Sequence, residues 1–146
     1  ALGGLLRGWS AYHAATRLGY GVLLLMALLS AVGYGLFPLV GDKMEINFPN
    51  RMHLVTTVLV TLSTLLALYL LAYGYLKKEK CGLPGALSLT AALIMTAFGA
   101  LNPLVLATGW PVLGLVERIG VFSMQAYVFA LSWLHTFRPA RMGLKS

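Results

Sequence analysis

The stretch Leu18–Val40, LGYGVLLLMALLSAVGYGLFPLV, decides the fold. It carries no charged residue, and Leu23 through Leu29 is apolar without interruption. About 20 such residues, rising 1.5 Å each, cross a hydrocarbon core roughly 30 Å thick, so the stretch reads as a transmembrane helix. Its last third has a different character. Gly33 and Gly35 permit a neighbouring backbone to approach closely, and Pro38 loosens or ends the helix.

Three stretches of the same kind follow, at about 51–76, 84–106 and 112–137. Between the first and second lies a polar connection with Asp42, Lys43, Glu45, Asn47 and Pro49. Lys77-Lys78-Glu79-Lys80 stops the second span, and Cys81-Gly82-Leu83-Pro84-Gly85 turns the chain, with Pro84 suited to a first helical turn. Near the end of the third span Asn102-Pro103 frees the Gly99 carbonyl and predicts a kink. Gly109-Trp110-Pro111 makes the last turn. Upstream, Leu2, Leu5, Leu6, Trp9 and Tyr12 recur at helical spacing, with Arg7, Ser10 and Arg17 largely elsewhere, as in a short helix lying apolar side down in the interface. The tail of an earlier span is the competing reading. The chain opens at Ala1 rather than methionine, as a processed or partial product does, and no cleavable signal peptide is apparent. Without linkers or repeats, residues 1–146 form one all-α domain, an integral membrane four-helix bundle.

Composition closes off the alternatives. Hydrophobic residues make up 59% of the chain and charged ones 10%, where soluble domains carry roughly 25% charged residues. A soluble fold of this size has too little charge to cover its surface. The net charge of +7 therefore marks membrane orientation and anionic lipid head groups rather than nucleic acid. The lone Cys81 rules out an internal disulfide.

Four spans put both termini and the Lys77–Lys80 turn on one side. That side holds Arg7, Arg17, Lys77, Lys78, Lys80, Arg138, Arg141 and Lys145, leaving Lys43, Arg51 and Arg118 for the other. Positive residues in short loops stay in the cytoplasm, so both ends are expected there. Of the acids, only Glu79 falls inside.

Glu117 and Arg118 lie roughly 9 Å into the fourth span, counted from Pro111. Charge at depth costs about 2.5–3.5 kcal/mol on insertion scales, so both need partners, and neighbours in a helix point about 100° apart. Asp42, Glu45, Arg51, His53 and Asn102 are the groups at that outer end. We expect Arg118 to pair with Asp42 or Glu45, and Glu117 with His53 or Arg51. His53, Thr57, Thr61 and Thr64 share one helix face, and Arg118, Gln125 and Ser132 recur every seven residues. Helices two and four are thus expected to face each other. The cluster is read first as a structural pin, next as a pocket for a lipid-like amphiphile, and last as an acid–base pair, Glu117 with His53. No second carboxylate or nucleophile completes a mechanism, so a catalytic role is not favoured.

No cofactor or metal is expected. His13 and His135, on different segments, make too weak a pattern for a b-type haem, and Cys81 is isolated from all three histidines. Cys81 is read as filler in preference to a palmitoyl acceptor. Tyr69, Tyr73, Tyr75, Trp9 and Trp133 read as an anchoring belt at the inner interface, and Trp110 as its outer counterpart. The expected partners are the bilayer, anionic lipids at the inner face, and other membrane subunits or further copies of the chain.

Gly35-Leu36-Phe37-Pro38 ending one span, Asp42 soon after, His53-Leu54 opening the next, and Gly114-Leu115-Val116-Glu117-Arg118 in the last resemble the domain of unknown function 998 family of prokaryotic polytopic membrane proteins. The resemblance runs over about Leu18 to Arg138. It implies a helical membrane bundle with no settled activity, and treats Asp42, His53, Glu117 and Arg118 as one set. Family members usually have six spans, and four fit here, as if the first two were missing; the acid also follows Phe-Pro less closely than is usual. The expected role is an accessory or scaffold subunit, with a lipid binder or transporter and a lipid-modifying enzyme as alternatives.

Overall fold

The computed structural model describes residues 9, 10, 12–41 and 47–142. Within them the chain is helical: α1 is Ala14–Leu36, α2 Phe48–Tyr73, α3 Gly82–Thr108 and α4 Leu113–Phe137. A π-turn, Gly74–Lys78, prolongs α2, and a 3-10 turn, Pro139–Met142, follows α4. Local chemistry sets these limits. His13 Nδ1 accepts the Ala15 N–H at 3.2 Å, so α1 starts four residues ahead of the expected span. At its other end the Phe37 N–H closes onto the Gly33 carbonyl at 2.9 Å, which leaves Pro38 outside the helix. Asn47 Oδ1 accepts the Asn50 N–H at 2.9 Å with Pro49 in the first turn, so α2 starts at Phe48 rather than Arg51. Lys80 closes the α2–α3 turn in the left-handed region at φ 55°. Pro103 lies inside α3, which continues to Thr108.

Three segments, Ala14–Leu36, Phe48–Lys78 and Gly82–Val105, are long and apolar enough to cross a membrane. α4, with Glu117, Arg118, Gln125 and His135, is not one of them. Large side chains such as Leu24, Leu28, Phe122 and Phe129 are exposed along the helices, which suits hydrocarbon rather than water as the surrounding medium. Both features point to a membrane protein.

Short turns make consecutive helices neighbours: α1 packs on α2, α2 on α3, and α3 on α4. Among the described residues no Cα of α4 comes within 8 Å of one in α1 or α2, so the four backbones form an open row, which side chains bridge at one end. The expected seam between helices two and four is therefore not formed. The α2 face carrying His53 and Thr57 serves α1 instead, where the Tyr34 hydroxyl donates to Thr57 Oγ1 at 3.2 Å.

Glycines let the first helices meet. A Cβ on Gly33 would lie 2.3 Å from Thr56 Cγ2, and one on Gly74 would lie 2.3 Å from Thr16 Oγ1 and 3.0 Å from the Thr16 nitrogen. Gly35, expected to share this work with Gly33, has open space around it. The core gathers at the end of the row that holds the α2–α3 turn: Tyr12, Tyr20, Leu68, Leu71, Tyr75, Tyr127, Leu131, Leu134 and Met142. Two expectations are corrected there. Tyr75, assigned to the anchoring belt, is 0% exposed, whereas Tyr69 and Tyr73 do face outward. Tyr12, assigned to the lipid-facing side of an interfacial helix, is buried in the same core; residues 1–8 and 11 of that helix lie outside the described residues.

Candidate functional site, a buried tyrosine–histidine cluster

The outer polar groups come first, because the sequence singles them out. Asp42 and Glu45 lie outside the described residues. Arg51 and Arg118 are exposed, and Glu117 is half-buried on α4. Asn102 is half-buried beside Pro103, its Oδ1 enclosed with no hydrogen-bond partner among the described residues. His53 binds the Phe37 carbonyl through Nδ1 at 2.8 Å, and its ring lies 4.9 Å from that of Tyr34. Its ring thus closes the α1–α2 hairpin at the end away from the α2–α3 turn, and no Cα of the hairpin's helices lies within 8 Å of one in α4.

A residue outside the expected set completes that closure. Buried Asn50 accepts the Val40 N–H through Oδ1 at 2.9 Å and donates from Nδ2 to the Val40 carbonyl at 3.0 Å. One amide thereby satisfies both backbone groups of a residue in an irregular segment, where water would otherwise be required. The signal was present in sequence as Asn47-Phe48-Pro49-Asn50, an asparagine in the first turn of a helix facing back along the chain.

The denser network lies at the opposite end. The Tyr20 hydroxyl lies 2.7 Å from the Tyr75 hydroxyl and 2.7 Å from His135 Nε2, joining α1, the π-turn and α4. The Tyr12 ring packs edge-on to Tyr75 at 6.0 Å and to His135 at 6.4 Å between centroids. Beside them the Ser88 hydroxyl donates to the Pro84 carbonyl at 2.8 Å and lies 2.8 Å from the Tyr127 hydroxyl, pinning α3 to α4. Met142, reached through the 3-10 turn, is fully buried against this cluster. Glu79 on the α2–α3 turn accepts the His13 N–H and, at 3.3 Å, the Thr16 hydroxyl.

The hydrogen-bonded chain runs in one of two directions. If Tyr75 donates to Tyr20 and Tyr20 to His135, the imidazole proton sits on Nδ1; in the reverse direction Nδ1 is an acceptor. His135 Nδ1 and the Tyr12 hydroxyl are buried with no partner among the described residues. Burial pushes the Tyr12 hydroxyl up from 10.0 to about 12, so it remains a neutral donor at physiological pH. Burial likewise pushes the Cys81 thiol up. His13 Nδ1 is engaged as the α1 cap while His135 Nε2 serves Tyr20, so each histidine already has a structural role. What this arrangement does is mechanical: it ties the start of α1, the end of α2 and the end of α4 through one tyrosine oxygen. Its trace in the sequence is the pairing of Gly19 with Tyr20 and Gly74 with Tyr75, tyrosines set beside the glycines at which helices close.

The model of the family described as protein of unknown function (DUF998) matches residues 1–134. No curated protein and no solved structure matches the chain significantly. The family match covers all four helices but the last residues of α4, including the hairpin closed by His53 and most of the tyrosine–histidine cluster. The chain belongs to the DUF998 family.

Proposed function

We propose that the chain is a non-catalytic integral membrane subunit that crosses a prokaryotic plasma membrane four times, with both termini in the cytoplasm, and works by packing its open faces against other membrane helices. One observation carries the assembly reading: only 11% of the apolar window of α1 is buried within the chain's own fold. Gly21 and Gly35 on that helix have nothing within 4 Å, leaving small-residue positions where another backbone can approach. For α4, 25 residues give about 37 Å of helix, enough for a crossing beside α3. The polar groups at the outer end are assigned to register, as with His53 and Asn50 in the α1–α2 hairpin. His53 and Glu117, the acid–base pair that a lipid-modifying reaction would use, stand on helices that do not neighbour each other, which weighs against that reading.

Two measurements test this. Gly35→Leu should dissociate the assembly in native-lipid particles while leaving the thermal midpoint of the isolated chain unchanged. A single copy in such particles, indifferent to Gly35→Leu, would overturn the assembly role. For topology, Cys81 is the sole thiol, so an impermeant maleimide should label it, and an Arg141→Cys variant of a Cys81→Ser chain, only after the membrane is opened. Labelling of the two sites from opposite faces would overturn the arrangement.

A further inference from the structure

We propose that the groove between the start of α3 and the end of α4 seats one acyl chain of an anionic phospholipid, whose phosphate rests on the basic rim at that end. The groove has a volume of about 370 Å³ and is lined by Leu83 and Leu87 from α3 and by Phe129, Ala130, Trp133 and Leu134 from α4. It exists because Ala130 is small where its neighbours are large, and because Trp133 and Phe137, 4.4 Å apart, raise a wall along one side. A smaller cleft continues it past Trp133 to Ser132, Thr136 and Phe137. Ser88 and Tyr127 hold the two helices together beside it.

Shape and charge select the occupant. The groove is shallow and open along its length between two apolar walls, which suits a thin flexible chain. Both walls run directly into exposed cations: Lys80 stands three residues before Leu83, Arg138 follows Phe137, and Arg141 lies one turn on. Glu79, the acid on that turn, is held by the His13 N–H and the Thr16 hydroxyl, and against Lys80, Arg138 and Arg141 it leaves the rim positive. A phosphate with no compensating ammonium complements such a rim. This reading is independent of whether the chain has protein partners.

The test uses the full chain with Trp9→Phe and Trp110→Phe, which leaves Trp133 as the reporting fluorophore. In vesicles of phosphatidylcholine containing one-tenth phosphatidylglycerol, acyl-brominated phosphatidylglycerol should quench Trp133, and acyl-brominated phosphatidylcholine at the same fraction should quench it far less. Ala130→Phe, which fills the groove, should abolish the difference without lowering the thermal midpoint; Ala130→Leu is the milder variant should the first misfold. Arg138→Gln with Arg141→Gln should weaken the preference about thirtyfold. Equal quenching by both lipids would mean annular contact only and would overturn the proposal. So would a preference unchanged by both Ala130 variants, or a groove found covered by a second copy of the chain in cross-linking through position 133.

Discussion

Gly74→Ala is expected to lower the unfolding free energy by about 2 kcal/mol, reversing the usual gain from replacing a helical glycine. In an exposed helix that exchange stabilises by about 0.5–1 kcal/mol, because glycine loses more backbone freedom on folding. At position 74 the new methyl would sit 2.3 Å from Thr16 Oγ1, 3.0 Å from the Thr16 nitrogen and 3.1 Å from its Cα. The hydroxyl could rotate away only by giving up its bond to Glu79, and the backbone atoms cannot rotate at all. Relief therefore requires α1 to move off the end of α2, loosening Tyr20 from Tyr75 as it goes. Gly21→Ala is the control: with nothing within 4 Å it should be neutral or slightly stabilising. Reversible unfolding in mixed micelles distinguishes the two. Equal midpoints for Gly74→Ala and Gly21→Ala would mean that the contact with Thr16 does not hold the helices at this distance.

The second large effect falls on Tyr20. Its hydroxyl serves two buried groups, so Tyr20→Phe removes one oxygen and leaves both Tyr75 and His135 short of a partner. Each buried group so stranded costs about 1–3 kcal/mol in soluble proteins, while hydrogen bonds between membrane helices average about 0.6 kcal/mol. Two of them at the end of the row should together cost about 2 kcal/mol. Tyr75→Phe should cost about half as much, because Tyr20 keeps His135. The order matters more than the values: if Tyr75→Phe proved the more damaging, the Tyr20 oxygen would not be the centre of the network. A Tyr20→Phe, His135→Phe pair should lose less than the sum of its singles, since the second change removes a group the first had stranded.

Position along each helix axis was readable in this chain, and azimuth about each helix was not. The four helices lie within a few residues of the expected stretches because charge, proline and turn chemistry mark where a helix starts and stops. Around a helix the contrast fails. Leu68 and Leu71 are fully buried while Leu62 and Leu66 face outward, and lipid is as apolar as a protein core, so the same residue type serves both faces. The polar face of α2 was legible at His53 and Thr57, yet its neighbour was misassigned, because a hydroxyl or imidazole declares a need for a partner without saying which helix supplies it. Tyr75 reads as an interfacial anchor for a related reason: position near a basic turn is shared by tyrosines that snorkel, such as Tyr73, and by one that a preceding glycine allows inside. His135 reads in sequence as a weak haem ligand or an interfacial residue, when its bond is to a tyrosine more than a hundred residues away.

The carboxylate of Glu79 has a bearing on how the chain reaches this shape. A helix beginning ordinarily finds its acceptor within its own few residues, as α2 does with Asn47. For α1 the His13 N–H is satisfied by a side chain that leaves the ribosome 66 residues later. Until the α2–α3 turn has formed, the leading amide of α1 has only water as its partner. Arrival of the turn fastens the start of α1 to a point 66 residues on, so a single acid makes one helix's capping conditional on the next having turned back.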